Sequence, residues 1–221
     1  MPESDPTVLV IDDDPEFRIS VGRLLRSVGL EAWLFASVPD FLKSERPDGP
    51  TCLVLDVRLP ERSGLDFQRD LAAADVQIPI IFITGHGDVP MSVQAMKHGA
   101  IEFLTKPFRD QDLIDAIGFG LARDRTRRED DRALRTLRAC FESLTARELE
   151  ILLRVVQGRL GKQIADDIGI SEPTVKVHRS NLMRKLNVRS LVELGQLADK
   201  LNLLSKKTDA AVRLQSNSRP G

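Results

Sequence analysis

The stretch Val8-Leu9-Val10-Ile11-Asp12-Asp13-Asp14 sets an apolar run directly against three consecutive carboxylates. A β-branched run of this length reads as a buried strand. Like charges crowded at the end of a buried element repel one another, and burial makes the repulsion worse. The acids therefore call for water or a cation at the strand's end.

Similar runs recur at 31–35, 51–55, 80–83 and 101–104. The central ones are almost wholly apolar, as strands covered on both faces are. Between them lie helical patterns at 15–28, 37–44, 63–74, 88–98 and 110–121, several with start signals such as Ser37 ahead of Pro39. Strand and helix in alternation predict an α/β domain, a five-stranded parallel doubly wound sheet over residues 1–121.

The chain has 221 residues, enough for two modest domains, and 42% of them are hydrophobic. No apolar run is long enough to span a bilayer, and the first residues lack the order of a secretory signal. A cytosolic protein without a membrane partner is expected. Cys52 and Cys140 stand far apart without metal-ligand spacing, which predicts reduced structural thiols. The net charge of −1 conceals a split. Residues 1–120 carry 11 Lys or Arg against 20 Asp or Glu, a net of −9, whereas residues 145–207 carry 12 against 7, a net of +5. Cations suit the first part and polyanions the second.

Ligands of a doubly wound sheet gather beyond the carboxyl ends of its strands. There the sequence places Asp12 and Asp13, Asp56, Thr84, and the run Thr105-Lys106-Pro107. Three carboxylates without a His or Cys partner make an all-oxygen site suited to Mg²⁺. A carboxylate beside such a cation, with a hydroxyl and an ammonium nearby, supports phosphoryl transfer: Asp56 as acceptor, Thr84 as hydroxyl donor, Lys106 as cation. Each residue alone has a plainer role as turn acid, strand end or surface charge; together they satisfy the geometric test for a site. An aspartyl phosphatase is the competing enzyme, but Arg58 stands where such enzymes carry their second acid. His86 lacks a ligand partner and reads as a loop residue.

The runs VLVIDDD, LVLDVRLP, IIFITGHGDVP and EFLTKPF resemble the receiver domains of two-component response regulators, most closely the FixJ branch. The resemblance implies a flavodoxin-like fold and an Asp56 that takes phosphate from a sensor histidine kinase. It implies Mg²⁺ held by Asp13, Asp56 and the backbone carbonyl of Arg58, with Asp12 supporting through water. By the same likeness Thr84 and Phe103 form a switch, Lys106-Pro107 is cis, and phosphorylation brings two copies together. The chain would be a phosphoacceptor rather than a turnover enzyme, with no small-molecule substrate beyond phosphodonors. Glu61 and Arg62 are more highly charged than the residues many relatives have there.

Residues 122–141 read as a solvated, charged linker helix. After Leu144 the pattern is helical throughout. Thr145 and Glu148 have capping-box spacing, and Gly169-Ile170-Ser171 turns into a basic helix with Pro173 in its first turn. A tight turn into a basic helix predicts an all-α helix-turn-helix domain over 142–207, set on double-stranded DNA. Val175, Leu182 and Leu186 would face its core. The plainer alternative is a basic helix in an ordinary bundle. LTARELEIL and GKQIADDIGISEPTVKVHRSNLMRKLNVRS resemble the LuxR-type four-helix DNA-binding domain. That likeness places Lys176, Val177 and Ser180 nearest base edges, and Lys162, Thr174, Arg179 and Asn181 on phosphates. Gly161 stands where relatives often have Asn. Residues 208–221 are expected to be a disordered tail. The whole reads as a phosphorylation-controlled transcription factor, and the alternative is a constitutive DNA-binding protein whose receiver-like domain only dimerises.

Overall fold

The computed structural model describes residues 5–60, 62–85 and 87–200, the last three by backbone only. The expectations for Glu61, His86 and the tail at 208–221 lie outside the described residues. The chain divides into two compact units, Met1–Asp131 and Arg132–Gly221.

In the first unit, β1 (Thr7–Ile11), β2 (Glu31–Phe35), β3 (Thr51–Asp56), β4 (Ile80–Thr84) and β5 (Glu102–Thr105) form a parallel sheet in the order β2-β1-β3-β4-β5. The fifth strand lies one residue later than its apolar run suggests. Successive side chains of a strand point to opposite faces, and the core divides accordingly. Leu9, Ile11, Leu53, Leu55 and Phe82 pack with Phe41 and Phe67 on one face. Val8, Val10, Cys52, Val54, Ile81 and Ile83 pack with Leu25, Leu113 and Ile117 on the other. The central strands β1, β3 and β4 are therefore buried throughout, while edge strands β2 and β5 keep Glu31, Leu34 and Glu102 exposed.

The helices are α1 (Pro15–Ser27), α2 (Val38–Lys43), α3 (Gly64–Ala73), α4 (Val89–Lys97) and α5 (Asp110–Glu142). Asp14, Ser37, Ser63 and Asp88 cap the first four, each accepting a backbone N–H of its first turn. The expected passage from a last receiver helix to a separate linker at residue 122 is absent, because α5 runs unbroken for 33 residues. The start of that stretch is largely exposed, with one exception. Asp124 is fully buried and accepts the backbone N–H of Thr51 at 2.9 Å, Arg127 Nη2 at 2.6 Å and Arg128 Nε at 2.6 Å. Arg128 also donates to the carbonyl of Asp48 at 2.9 Å, so the helix is tied to the start of β3. Gly120 lies so close to β3 that a Cβ there would stand 2.6 Å from the Cys52 sulfur. Both cysteines are free, and burial pushes the Cys52 thiol well above its ordinary pKa.

The second unit contains α6 (Ala146–Val156), α7 (Gly161–Ile168), α8 (Glu172–Lys185) and α9 (Leu191–Lys200). Thr145 and Glu148 close the capping box that starts α6. Ile151, Leu152, Ile164, Val175, Leu182, Leu186 and Leu194 form the core, with the three inward residues expected of α8 among them. Among the described residues no helix is long and apolar enough to cross a membrane.

Candidate functional site

The acidic site lies at the carboxyl ends of β1, β3, β4 and β5. β1 hands over directly to α1, and Asp12, Asp13 and Asp14 make the turn. Asp14 turns back as N-cap, and Asp12 Oδ1 accepts the Asp14 N–H at 3.0 Å. The Asp12 carbonyl accepts Arg18 Nη1 at 2.6 Å, which fixes the backbone beneath the carboxylate. Asp56 ends β3, and its Oδ1 accepts the Arg58 N–H at 2.9 Å. The loop that follows closes quickly: Arg58 bridges Ser63, and Gly64 opens α3 so near β3 that a Cβ would stand 2.3 Å from the Asp56 carbonyl oxygen. Only glycine fits that approach.

Asp12, Asp13 and Asp56 each offer a carboxylate oxygen within 4.8 Å of the others. Lys106 Nζ lies 2.7 Å from Asp12 Oδ2 and 3.3 Å from Asp56 Oδ2, joining residues 94 and 50 positions away. The Asp12 side chain is fully buried and that of Asp56 is 10% exposed. Burial pushes the Asp12 carboxyl above its usual range; hydrogen bonds from Lys106 and the Asp14 N–H pull it back, and the Asp56 charge adds to the rise. Burial is thus the main source of the rise, and the one ammonium serves two of the three acids, Asp12 and Asp56. The donor set is all oxygen and Asp13 stays exposed, so the cluster fits a hard divalent cation that keeps several waters.

Thr84 is fully buried at the end of β4, and its carbonyl accepts the Lys106 N–H at 2.8 Å. Lys106-Pro107 is cis. Phe103 pairs in register with Phe82, and the two rings lie 6.3 Å apart. Gly87 approaches both Thr84 and Phe103: a Cβ there would meet Phe103 Cε1 at 2.8 Å and Thr84 Cγ2 at 3.1 Å. The structure thus brings Asp12, Asp13, Asp56 and Lys106 to one pocket and sets Thr84 and Phe103 beside Gly87. Sequence reasoning missed Phe17, whose ring lies beneath the Lys106 ammonium, 3.7 Å from the centroid. Its place three residues after the acidic turn was the only available signal.

In the second unit, Gly169 ends α7 with a φ of 66°, the left-handed conformation glycine adopts without penalty. Ser171 then caps α8, accepting the Thr174 N–H at 3.3 Å. Lys176, Val177, Ser180 and Arg184 are exposed along the side of α8 away from Val175, Leu182 and Leu186, and Val177 is 58% exposed. Asn181 flanks that side, Arg179 shares the side of Val175 and Leu182, four and three residues away, and both are half-buried. Asn181 Oδ1 accepts Arg184 Nη2 at 3.2 Å, and the Thr174 and Ser171 hydroxyls are 2.8 Å apart. Lys162 is exposed in the first turn of α7. Gly161 is not sterically required, since the nearest atom to a Cβ would be Glu172 Oε1 at 3.6 Å. Lys185, basic by sequence, turns inward to Glu148 Oε2 at 2.7 Å and the Ser143 carbonyl at 3.0 Å. Lys185 and the Thr145 cap hold the Glu148 carboxyl below its usual range against its own burial.

An acidic pocket on the rim of a parallel sheet, in one chain with a helix-turn-helix, defines a receiver coupled to a DNA reader. Residues 8–118 match the response regulator receiver domain, and residues 142–208 match the bacterial regulatory proteins of the luxR family. Nodulation protein W of Bradyrhizobium diazoefficiens is 48% identical over 202 residues, covering 91% of this chain and 89% of that protein. FixJ of Azorhizobium caulinodans is 42% identical over 198 residues, covering 90% and 93%. A solved structure of the response regulator StyR aligns with a TM-score of 0.81 at 50% identity, covering 89% of this chain and 100% of that one. The chain belongs to the response regulators of the FixJ/NarL type and is a transcription factor of a two-component system.

Proposed function

We propose that Asp56 accepts a phosphoryl group from a phosphohistidine of a sensor histidine kinase and that the resulting acyl phosphate controls DNA binding. The supporting observation is the Lys106 ammonium bridging Asp12 and Asp56, which places a cation where phosphoryl charge would arrive. An Asp56 oxygen bonds to phosphorus as the phosphorus–imidazole nitrogen bond breaks. The bonding pair stays on the departing nitrogen, and because the other ring nitrogen of the phosphohistidine carries a proton the imidazole leaves neutral. Lys106 neutralises charge on the phosphoryl oxygens, and the Thr84 hydroxyl donates to one of them. Asp13, Asp56 and the Arg58 carbonyl would hold Mg²⁺, with Asp12 supporting through water, and the ion would supply the remaining positive charge. Asp56 is consumed in its own reaction, so the chain is an acceptor rather than a turnover enzyme. With Arg58 two residues on, it lacks the second acid of an aspartyl phosphatase.

Movement of Thr84 toward the phosphoryl group frees space beside Gly87 and lets Phe103 repack, altering the face from Met91 to Phe103 on which two copies would pair. A homodimer then presents two α8 helices to a two-fold DNA site in the cytoplasm. The test is DNA affinity measured with and without beryllofluoride and Mg²⁺. Tighter binding with the phosphate mimic is expected; equal affinity in both would establish the constitutive alternative.

Contacts on α8 divide by chemistry. Lys176→Ala is expected to narrow the gap between preferred and random sites by roughly 1–3 kcal/mol, as loss of a base contact does. Arg179→Ala is expected to weaken all sequences alike and to lower the slope of log affinity against log salt by about 1. Binding titrations at several salt concentrations separate the two, and equal loss on all sequences from Lys176→Ala would remove it from base reading.

A further inference from the structure

Phe17 is the third residue of α1, and its backbone is held by the cap: Asp14 Oδ1 accepts the N–H groups of Glu16 at 2.9 Å and Phe17 at 3.4 Å. The ring is braced edge-on by Phe108, at 6.1 Å between centroids and 83° between planes. Lys106 Nζ sits 3.7 Å above its centroid while also reaching Asp12 and Asp56. The Lys106 side chain is 23% exposed, so water competes for its ammonium. A lysine carries a compact charge on a flexible four-carbon stem, and nothing in that stem selects one position for the charge. A ring face attracts a cation through its quadrupole and restrains it laterally.

We infer that Phe17 is a positioning residue for phosphoryl transfer: its ring face holds the Lys106 ammonium at the edge of Asp56. The inference rests on the assignment of Asp56 as acceptor. In the resting site the ammonium is shared by two carboxylates, the nearer being Asp12. When a phosphoryl group forms on Asp56, the charge to be neutralised moves outward from the buried rim. An unrestrained lysine would remain with Asp12 or turn to solvent. Phe17 keeps it over the rim, within reach of the new oxygens. The plainer role of Phe17 is packing, since it also borders the apolar cluster that contains Val21 and Leu113. The two roles differ in what they demand of the side chain. Packing asks for volume; restraint of an ammonium asks for a π face.

The experiment compares the rate of labelling by acetyl phosphate with Mg²⁺ for the full chain, Phe17→Leu, Phe17→Tyr, Lys106→Ala and the double variant Phe17→Leu/Lys106→Ala. Thermal midpoints verify folding, and Phe17→Met replaces the leucine variant should that one unfold. Phe17→Leu is expected to label roughly 3- to 30-fold more slowly than the parent, and Phe17→Tyr near the parent rate. In the Lys106→Ala background, the leucine change is expected to have no further effect. Equal rates for Phe17→Leu and the parent would overturn the inference. So would equal slowing by tyrosine, or a leucine effect that persists without Lys106, because each leaves packing as the whole role. A parent protein that takes no label would instead overturn the Asp56 assignment itself.

Discussion

Replacing Asp56 with alanine is expected to abolish labelling by acetyl phosphate with Mg²⁺ while leaving the receiver folded. Three carboxylates share the pocket, so the claim is that two of them cannot substitute. Asp12 has one oxygen on Lys106 and the other on the Asp14 N–H, and its side chain is fully buried, so a phosphodonor cannot approach it in line. Asp13 is exposed, without the ammonium that Asp56 has at 3.3 Å. The fold should survive, because Lys106 keeps its closer partner and a like charge leaves a poorly solvated cluster. The thermal midpoint of Asp56→Ala is therefore expected to equal or exceed that of the parent. Mass spectrometry of the acyl phosphate and a melting curve read the two halves together, and label remaining at parental level would refute the acceptor assignment.

The largest loss of stability is expected at Asp124, far from the acidic pocket. Its carboxylate is fully buried and receives one backbone N–H and two guanidinium groups. Removing one partner of such a cluster typically costs about 3–5 kcal/mol, since the others are left desolvated and unpaired. Here Arg127 and Arg128 remain 31% and 29% exposed, so they can rehydrate. About 2–4 kcal/mol is the fitting expectation for Asp124→Ala. For a unit of this size that is a fall of roughly 10 °C in the receiver's melting temperature. Asp124→Asn, which can still accept the Thr51 N–H, should lose less. Burial raises the Asp124 carboxyl, but hydrogen bonds from Thr51, Arg127 and Arg128 more than offset it, and the group titrates below the usual carboxylate range. A depressed folded value means the stabilisation is present above the unfolded pKa and lost as pH falls through the folded one. The gap between parent and Asp124→Ala in urea melts should therefore close under acid conditions; a gap independent of pH would show that the ion cluster is not its source.

The two sites differ in how much of them the sequence disclosed, and the reason is physical. Asp12, Asp13, Asp56, Thr84 and Lys106 each end an apolar run, and a parallel sheet brings all such ends to one rim. Periodicity and topology alone therefore place them together. Asp124 has no such frame. It lies within RDRTRRED, a composition that reads as solvated, and its decisive partner is a backbone N–H 73 residues away. Backbone donors carry no letter in a sequence. Phe17 and Lys106 meet because α1 and the β5–α5 loop adjoin on one face of the sheet, a pairing that neither local pattern encodes. On α8 the inward stripe of Val175, Leu182 and Leu186 was legible from helical spacing. The inward turn of Lys185 was not, because one acceptor, Glu148, belongs to the capping box at the start of another helix and the other, the Ser143 carbonyl, lies just before it.

That clasp between Lys185 and Glu148 bears on how the C-terminal part meets a polyanion. Arg147 and Arg154 are likewise engaged, both with Glu150 and the second also near Asp167. Ions held within the bundle displace no condensed sodium or potassium from a duplex. The thermodynamic valence of the complex will follow the side chains exposed on α7 and α8 rather than the gross count of 12 Lys and Arg between residues 145 and 207.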